Sequence, residues 1–319
     1  MAQQSNISAQ PRVSVVIPVL NAARYLPALF EAIATQEGIQ PQEIILVDSM
    51  STDDTVKIAQ AHPLARVVPI HNFTHGRSRN LGAREATGDL IVVLSQDARP
   101  QDRHWLSRLV KPFEDSRVAA TYSRQVPRED ANPMETFFLQ HRFPPGPPVR
   151  RERTGTGELT LEQVFFSNVS AAIRRSVLLQ FPFDEEIIMS EDQQFSRDLL
   201  NAGYAVVYCP ESIVVHSHNY SLAICVRRYF DSVYSLTQIF PAHGFGTSST
   251  MGLGYLRHET VFMITRHPFW LPYYLLYNLA KIAGTLLAHV GDRLPLWLLR
   301  RVSLHSYHWE RPAQPNAPS

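Results

Sequence analysis

The sequence predicts an α/β protein with a mainly parallel sheet flanked by helices and a helical region appended at its C-terminal end. Three short runs rich in valine, isoleucine and leucine carry this expectation, because each ends abruptly in polar residues and leads into helix-like sequence. Runs without polar–apolar alternation suit strands buried on both faces. Strand and helix in alternation build right-handed βαβ units.

Residues 1–11 (MAQQSNISAQP) are polar and lack the apolar core of a signal peptide, so a disordered start is expected. The three strand-like runs are VSVVIPVLN (Val13 to Asn21), EIILVDS (Glu43 to Ser49) and DLIVVLSQD (Asp89 to Asp97). Between them, Ser51 and Asp54 have capping-box spacing and Gly88 suits a helix C-terminus. Residues 127–160 hold four prolines between positions 144 and 148, followed by Arg150, Arg151 and Arg153, and read as a long loop shaping an acceptor site or a lid. Regular structure resumes at VFFSNVSAAIRRSVL, and SEDQQFSRDLLNAGY reads as a helix ending near Gly203. A core domain over 12–220 is expected, then a helical, membrane-associating region over 221–310 and a disordered tail at 311–319.

Composition narrows the function classes. The 319 residues are 45% hydrophobic and 18% charged, which suits a folded protein. A net charge of +1 gives no electrostatic case for nucleic acid. Cys209 and Cys225 show no paired spacing, which excludes a zinc-thiolate site and fits a reducing compartment. A cytoplasmic location is expected.

In an open parallel sheet, ligands bind beyond the carboxyl ends of the strands. Those ends carry Pro18 and Asn21, then Asp48 and Ser49, then Asp97. Asp48 suits a nucleobase or ribose contact, or a loop-capping acid. Asp97 suits a hard divalent cation bridging to a diphosphate, or a turn bonded to its own backbone. Asp53 and Asp54 answer a helix dipole and stay outside the site. THGRSRN places His75, Arg77 and Arg79 at a helix start, where an anion such as phosphate is favoured; the alternative, a solvated basic helix start, suits Arg77 better than Arg79. Glu191 and Asp192 open another helix, either as dipole partners or as a general base. His216 and His218 close the apolar run SIVVHSHN, where two histidines on one strand face suit ligation or acceptor contact.

Taken in order and spacing, VSVVIPVLN, EIILVDSMSTDDT, RNLGAREATGDLIVVLSQDA, SNVSAAIRRSV and SEDQQFSRDLLNAG resemble the family-2 glycosyltransferases of the GT-A fold, over residues 12–220. The resemblance implies an inverting transferase assisted by Mg²⁺ or Mn²⁺. It places Pro18, Asp48 and Arg79 in a nucleotide-sugar pocket, with Asn21, Ser49, His75 and Gln96 beside them. It makes Asp97 a metal ligand, Asp192 (next to Glu191) the catalytic base and His216 a further metal or diphosphate contact. The chain departs from the family at Ser49, where a second acid is common, and at Ser95-Gln96-Asp97, where the first acid of Asp-x-Asp is missing.

HGRSRN, VHSHNYS and PLWLLRRVSLHSYHW resemble bacterial rhamnosyltransferases of this family more closely. That likeness implies dTDP-rhamnose as donor and a glycan or polyprenyl-linked glycan as acceptor, as in O-antigen polysaccharide biosynthesis. His218, Arg150 and Arg151 are acceptor candidates. Alternatives are a UDP- or GDP-linked donor, or a degenerate transferase fold acting as a non-catalytic binding subunit. A nucleotidyltransferase would want a glycine-rich basic loop after the first strand, and a dehydrogenase G-x-G-x-x-G; PVLNAARYL offers neither.

The segment from Phe269 to Val290 is apolar, broken by Pro272 and Lys281, with Leu275, Leu279, Ile282 and Leu286 on one helical face. With Arg293, Arg300 and Arg301 following, it suits a helix lying on the cytoplasmic membrane surface; the alternative is packing on the protein's own core.

Overall fold

The structure is a computed structural model describing residues 10–240 and 245–310, with the backbone alone for 245–252. Residues 1–9 and the tail at 311–319, where disorder is expected, lie outside the described residues. The chain forms two compact units. The first holds 10–126, Phe143–Asp184 and Asp192–His216; the second holds Pro127–Arg142, Glu185–Glu191 and the described residues from Ser217 onward.

The first unit is built on one nine-stranded sheet. The three expected strands are β1 (Val13–Val19), β2 (Glu43–Asp48) and β4 (Leu90–Leu94), with β3 (Ala65–Pro69) completing a parallel set in the order β3, β2, β1, β4. Beyond β4 the sheet continues through β8 (Ser170–Arg174) and β6 (Val118–Val126) to β9 (Ala205–Val215). β8 runs antiparallel to both its neighbours, whereas β6 and β9 pair in parallel. Two short strands, β5 (Arg99–Pro100) and β7 (Val149–Arg151), pair antiparallel to β9. The sheet is therefore mainly parallel, as the apolar runs predict.

Helices α1 (Leu26–Ala34), α2 (Thr55–Gln60), α3 (His75–Glu85) and α4 (Trp105–Val110) link these strands; α6 (Arg175–Gln180) and most of α7 (Glu191–Asn201) follow later in the chain. The core joins Val13, Val15, Ile17 and Val19 of β1 to Leu26, Leu29 and Ile33 of α1 and to Trp105, Leu106 and Leu109 of α4. Burying each such side chain contributes about 1.5–3 kcal/mol. The Trp105 indole N–H is satisfied inside this core by donating to Ser170 Oγ at 3.0 Å. α3 lies so close to β1 that a Cβ on Gly82 would meet Val16 Cγ1 at 2.2 Å.

Two local expectations are corrected. Asp54 is the N-cap residue of α2 but makes no side-chain cap bond, and Ser51 Oγ instead accepts from the Asn21 N–H at 2.9 Å. The serine thus ties two loops together rather than closing a capping box. α3 ends at Glu85, and Gly88 lies past its end, where a Cβ would meet Ser14 N at 2.7 Å. Close approach to β1, not a left-handed helix cap, requires that glycine.

The long loop at 127–160 is also corrected. It contains α5 (Pro133–Arg142) and β7, because the clustered prolines fall after the helix and Pro133 stands at its first position, where a missing N–H costs nothing. Residues 127–142 belong to the second unit, so the boundary near 220 is not a single cut.

The second unit packs α8 (Leu222–Ile239) and α10 (Leu271–His289) with α5, α9 (Phe245–Arg266) and α11 (Leu296–Val302). A Cβ on Gly284 would meet Val226 O at 2.4 Å, so this glycine lets α10 lie directly on α8. The inward face of α10 is Tyr274, Tyr277, Ala280, Gly284 and Ala288. The leucine stripe therefore points away from the unit's core: Leu275, Leu279, Ile282 and Leu286 are 63%, 61%, 53% and 54% exposed. None of the described residues buries that stripe. Among the described residues, no helix is long and apolar enough to cross a membrane.

Candidate active site

In the first unit, the loops beyond β1, β2 and β4 are tied to one another. Gln96 clamps the chain leaving β1, its Oε1 accepting from Leu20 N at 2.9 Å and its Nε2 donating to Leu20 O at 3.3 Å. Asn21, at φ 50°, accepts from Thr52 N at 2.9 Å through Oδ1. Asp53 accepts from Thr55 and from Ala23 N, and the Thr55 hydroxyl is the main cause holding its carboxyl below the usual range. Its structural reading from sequence fits these bonds. Asp48 is buried and takes the Ser51 N–H at 3.2 and 3.3 Å. Met50 follows at φ 66°, a left-handed conformation uncommon for residues other than glycine. Pro18 lies one residue before the end of β1, opposite Val47.

α3 begins where expected. The Thr74 hydroxyl caps it by accepting from Arg77 N at 3.0 Å, and the buried Arg79 donates to His75 O at 2.9 Å. Asn80, which sequence reasoning passed over, exchanges two hydrogen bonds with the Phe183 backbone at 2.8 and 3.0 Å and so anchors the helix. A Cβ on Gly76 would meet Asp184 O at 2.1 Å, which fixes the glycine of this motif by close approach.

Sheet pairing brings Asp97 to His216. Two residues after Asp97, β5 pairs with β9 in the register Arg99 to Val215, and His216 follows directly, its N–H donating to Val126 O at 3.0 Å. His216 Nε2 then stands 3.6 Å from Asp97 Oδ1, both side chains largely buried. The other ring nitrogen, Nδ1, lies 2.9 Å from Gln125 Oε1, and Gln125 Nε2 donates to Ser167 Oγ at 2.9 Å. Gln125 thereby fixes the ring so that Nε2 faces the carboxylate.

The donor set fits a divalent ion. At 3.6 Å the two atoms are too far apart for a direct hydrogen bond. Asp97 and His216 would offer a divalent ion one carboxylate oxygen and one imidazole nitrogen. An imidazole beside a carboxylate suits Mn²⁺ better than Mg²⁺, which prefers oxygen alone. Gln125 is the outer-shell partner such a histidine needs.

Asp192 sits at the start of α7, accepting from Gln193 N at 2.9 Å and Asn168 N at 3.4 Å. Val169, the next residue after Asn168, accepts from Ser95 N at 2.9 Å. A continuous chain of bonds thus runs from Asp192 to the turn that carries Asp97. Glu191 is buried at the first position of α7 and falls in the second unit.

The acceptor candidates differ in their partners. Arg150 is neutralised by Asp115 at 3.1 Å and by Glu152, whereas Arg151 donates to the Tyr122 hydroxyl at 2.6 Å. His218 lies in the second unit, its backbone N–H donating to Glu135 Oε1 at 3.2 Å and its ring stacked on Tyr220. Neither cysteine offers a thiolate: burial pushes Cys209 up to about 12 and raises Cys225 as well.

Known proteins resemble this chain in sequence and in fold. Residues 14–181 match the profile described as Glycosyl transferase family 2. The O-antigen chain rhamnosyltransferase RfbN of Salmonella typhimurium is 33% identical over 303 residues, spanning 93% of this chain and 96% of that protein. WbaN of Salmonella anatum, also an O-antigen chain rhamnosyltransferase, is 33% identical over 305 residues, 94% of this chain and 96% of its own. Among solved structures, the mannosyltransferase PcManGT from Pyrobaculum calidifontis, in complex with GDP-Man and Mn²⁺, superposes with a TM-score of 0.56 at 21% identity, covering 95% of this chain and 86% of that one. Glucosyl-3-phosphoglycerate synthase from Mycobacterium tuberculosis, with Mn²⁺ and UDP, gives 0.51 at 20% identity, covering 72% and 80%. These two show likeness of fold.

Proposed function

Because the chain belongs to glycosyl transferase family 2, we propose that it moves L-rhamnose from dTDP-rhamnose onto a hydroxyl of a lipid-linked or cell-surface glycan, with inversion at the anomeric carbon. It is a glycosyltransferase of the rhamnosyltransferase-like kind, with a GT-A type fold. The observation that carries the mechanism is the pairing of Asp97 with His216 under the hold of Gln125.

In this reading Asp97 and His216 would hold Mn²⁺ or Mg²⁺, which would supply positive charge against the departing nucleoside diphosphate. Asp192 takes the proton of the acceptor hydroxyl as its oxygen bonds to the anomeric carbon. The anomeric carbon–phosphate oxygen bond breaks on the opposite face, and the diphosphate leaves with the electron pair. The β1 and β2 loops, with Asp48 at their floor, hold the nucleotide, and Arg79 at the start of α3 supports its phosphates. Incubating the full chain with dTDP-rhamnose, UDP-glucose and GDP-mannose, then measuring released nucleotide with and without Mn²⁺, tests the donor. Faster release from either of the other two would replace rhamnose.

We further assign the outward face of α10 to the cytoplasmic membrane surface. Exposed Leu275, Leu276, Leu279, Ile282 and Leu286 are joined by Phe269 and Trp297, at 97% and 67% exposure, and by exposed Arg293, Arg300 and Arg301. Apolar and aromatic side chains beside cationic heads suit an interface with anionic lipid. A polyprenyl-linked acceptor resides there.

A further inference from the structure

On β6 successive side chains face opposite sides of the sheet, so Gln125 faces the candidate metal centre and Arg124 shares the other side with Tyr122. At this point the pairing with β9 is interrupted: Ser123 is opposite Cys209, and Arg124 is opposite Ile213. Bulges of this kind re-aim a side chain and gather near active sites. The guanidinium of Arg124 is half-buried and its Nε is enclosed without a hydrogen-bond partner. Among the described residues, no carboxylate comes within ion-pair distance of Arg124 or of Arg151, which β7 brings to the same face.

The neighbouring cations are treated differently. Arg150 and Arg117 both pair with Asp115, and Arg174 donates to the carbonyls of Phe113, Asp115 and Val118. The face that Arg124 and Arg151 share carries Tyr122 and Tyr208, whose ring centres are 5.1 Å apart, and Arg151 donates to the Tyr122 hydroxyl at 2.6 Å. Both guanidinium charges oppose the rise that burial imposes on the Tyr208 hydroxyl. An enclosed cation without a counter-charge is costly, and a planar fork of donors matches phosphate oxygens.

We propose that Arg124 and Arg151 form an anion site for the diphosphate group of a substrate, separate from the residues that hold the metal. The inference deepens the transferase reading, since donor and polyprenyl-linked acceptor both carry a diphosphate. Calorimetry of the full chain with inorganic pyrophosphate in excess chelator tests it. Binding is expected in the wild type, with Arg124→Gln and Arg151→Gln each roughly 10- to 100-fold weaker, the worth of a charged hydrogen-bond contact. Arg151 lies on a short edge strand, so its variant keeps the test valid if Arg124→Gln fails to fold. Displacement of pyrophosphate by dTDP identifies the donor's diphosphate; displacement by farnesyl diphosphate but not dTDP identifies the acceptor's. No pyrophosphate binding by wild type overturns the proposal, as does undiminished affinity in folded variants. Loss of Mn²⁺ binding in Asp97→Ala alongside full pyrophosphate affinity in both arginine variants would leave the metal reading standing and this one refuted.

Discussion

The Gln125 amide oxygen lies 2.9 Å from His216 Nδ1 and so aims the opposite ring nitrogen at Asp97. Gln125→Leu should weaken Mn²⁺ binding about 10- to 100-fold, as loss of an outer-shell partner does. Asp97→Ala should abolish metal-dependent nucleotide binding. Calorimetry with and without chelator checks both, and equal Mn²⁺ affinity in Gln125→Leu and wild type would remove Gln125 from this role.

Asp192→Asn preserves the side chain's shape and removes its capacity to accept the proton. Transfer should fall about 10²–10⁴-fold, the range for general base catalysis, with donor affinity nearly unchanged. Turnover near the wild-type rate would assign the base elsewhere.

Lys281 donates to both oxygens of Glu259 at 3.0 and 3.1 Å, and Glu259 is fully buried. The rings of Tyr277 and Tyr255 lie 5.0 and 5.4 Å from the ammonium. Lys281→Met leaves Glu259 a buried carboxylate that keeps the Tyr255 hydroxyl at 3.2 Å but loses its ammonium partner. It should cost about 3–5 kcal/mol, whereas Lys281→Met with Glu259→Leu should recover most of it. Denaturant melts of the three proteins decide this, and a harmless single variant would contradict it.

Asp231 is fully buried, accepts from Leu304 N at 2.8 Å and His305 N at 3.1 Å, and burial pushes its carboxyl up to about 6. Since its folded value lies above the unfolded 3.8, the native state binds the proton more tightly. The corresponding stability is fully present below about pH 4 and is lost as pH rises through about 6. Asp231→Asn should flatten the melting-temperature slope across that window. An unchanged slope would show that Asp231 does not cause it.

Leu279→Glu with Ile282→Glu should abolish flotation on anionic vesicles at low salt while leaving the melting temperature within a few degrees, because both side chains face outward. Flotation of the double variant at wild-type level would refute the membrane assignment.

The sequence made β1, β2 and β4 legible because strands buried on both faces are continuous apolar runs. It also located Asp97 and His216, but not the reason they meet, which is a two-residue strand paired to β9 across more than a hundred positions. Gln125 carries no local signal: its role exists only through the parallel pairing of β6 with β9. The helical periodicity of Leu275, Leu279, Ile282 and Leu286 was plain, but periodicity alone does not say whether an apolar face turns inward. Small residues on the other face, Ala280, Gly284 and Ala288, fit the close packing on α8 and mark the inward side.

The contribution of α5 to the second unit has a consequence during synthesis. Met134 is buried with Cys225, Met263 and Tyr274, which emerge about 90 to 140 residues later. At a translation rate of roughly 5–20 residues per second, its apolar side must wait several seconds or more for these partners. Nascent chains should therefore be most vulnerable to aggregation, and most dependent on chaperones, after the sheet strands have emerged and before α10 clears the ribosome. A chain truncated at His216 would keep that exposure permanently.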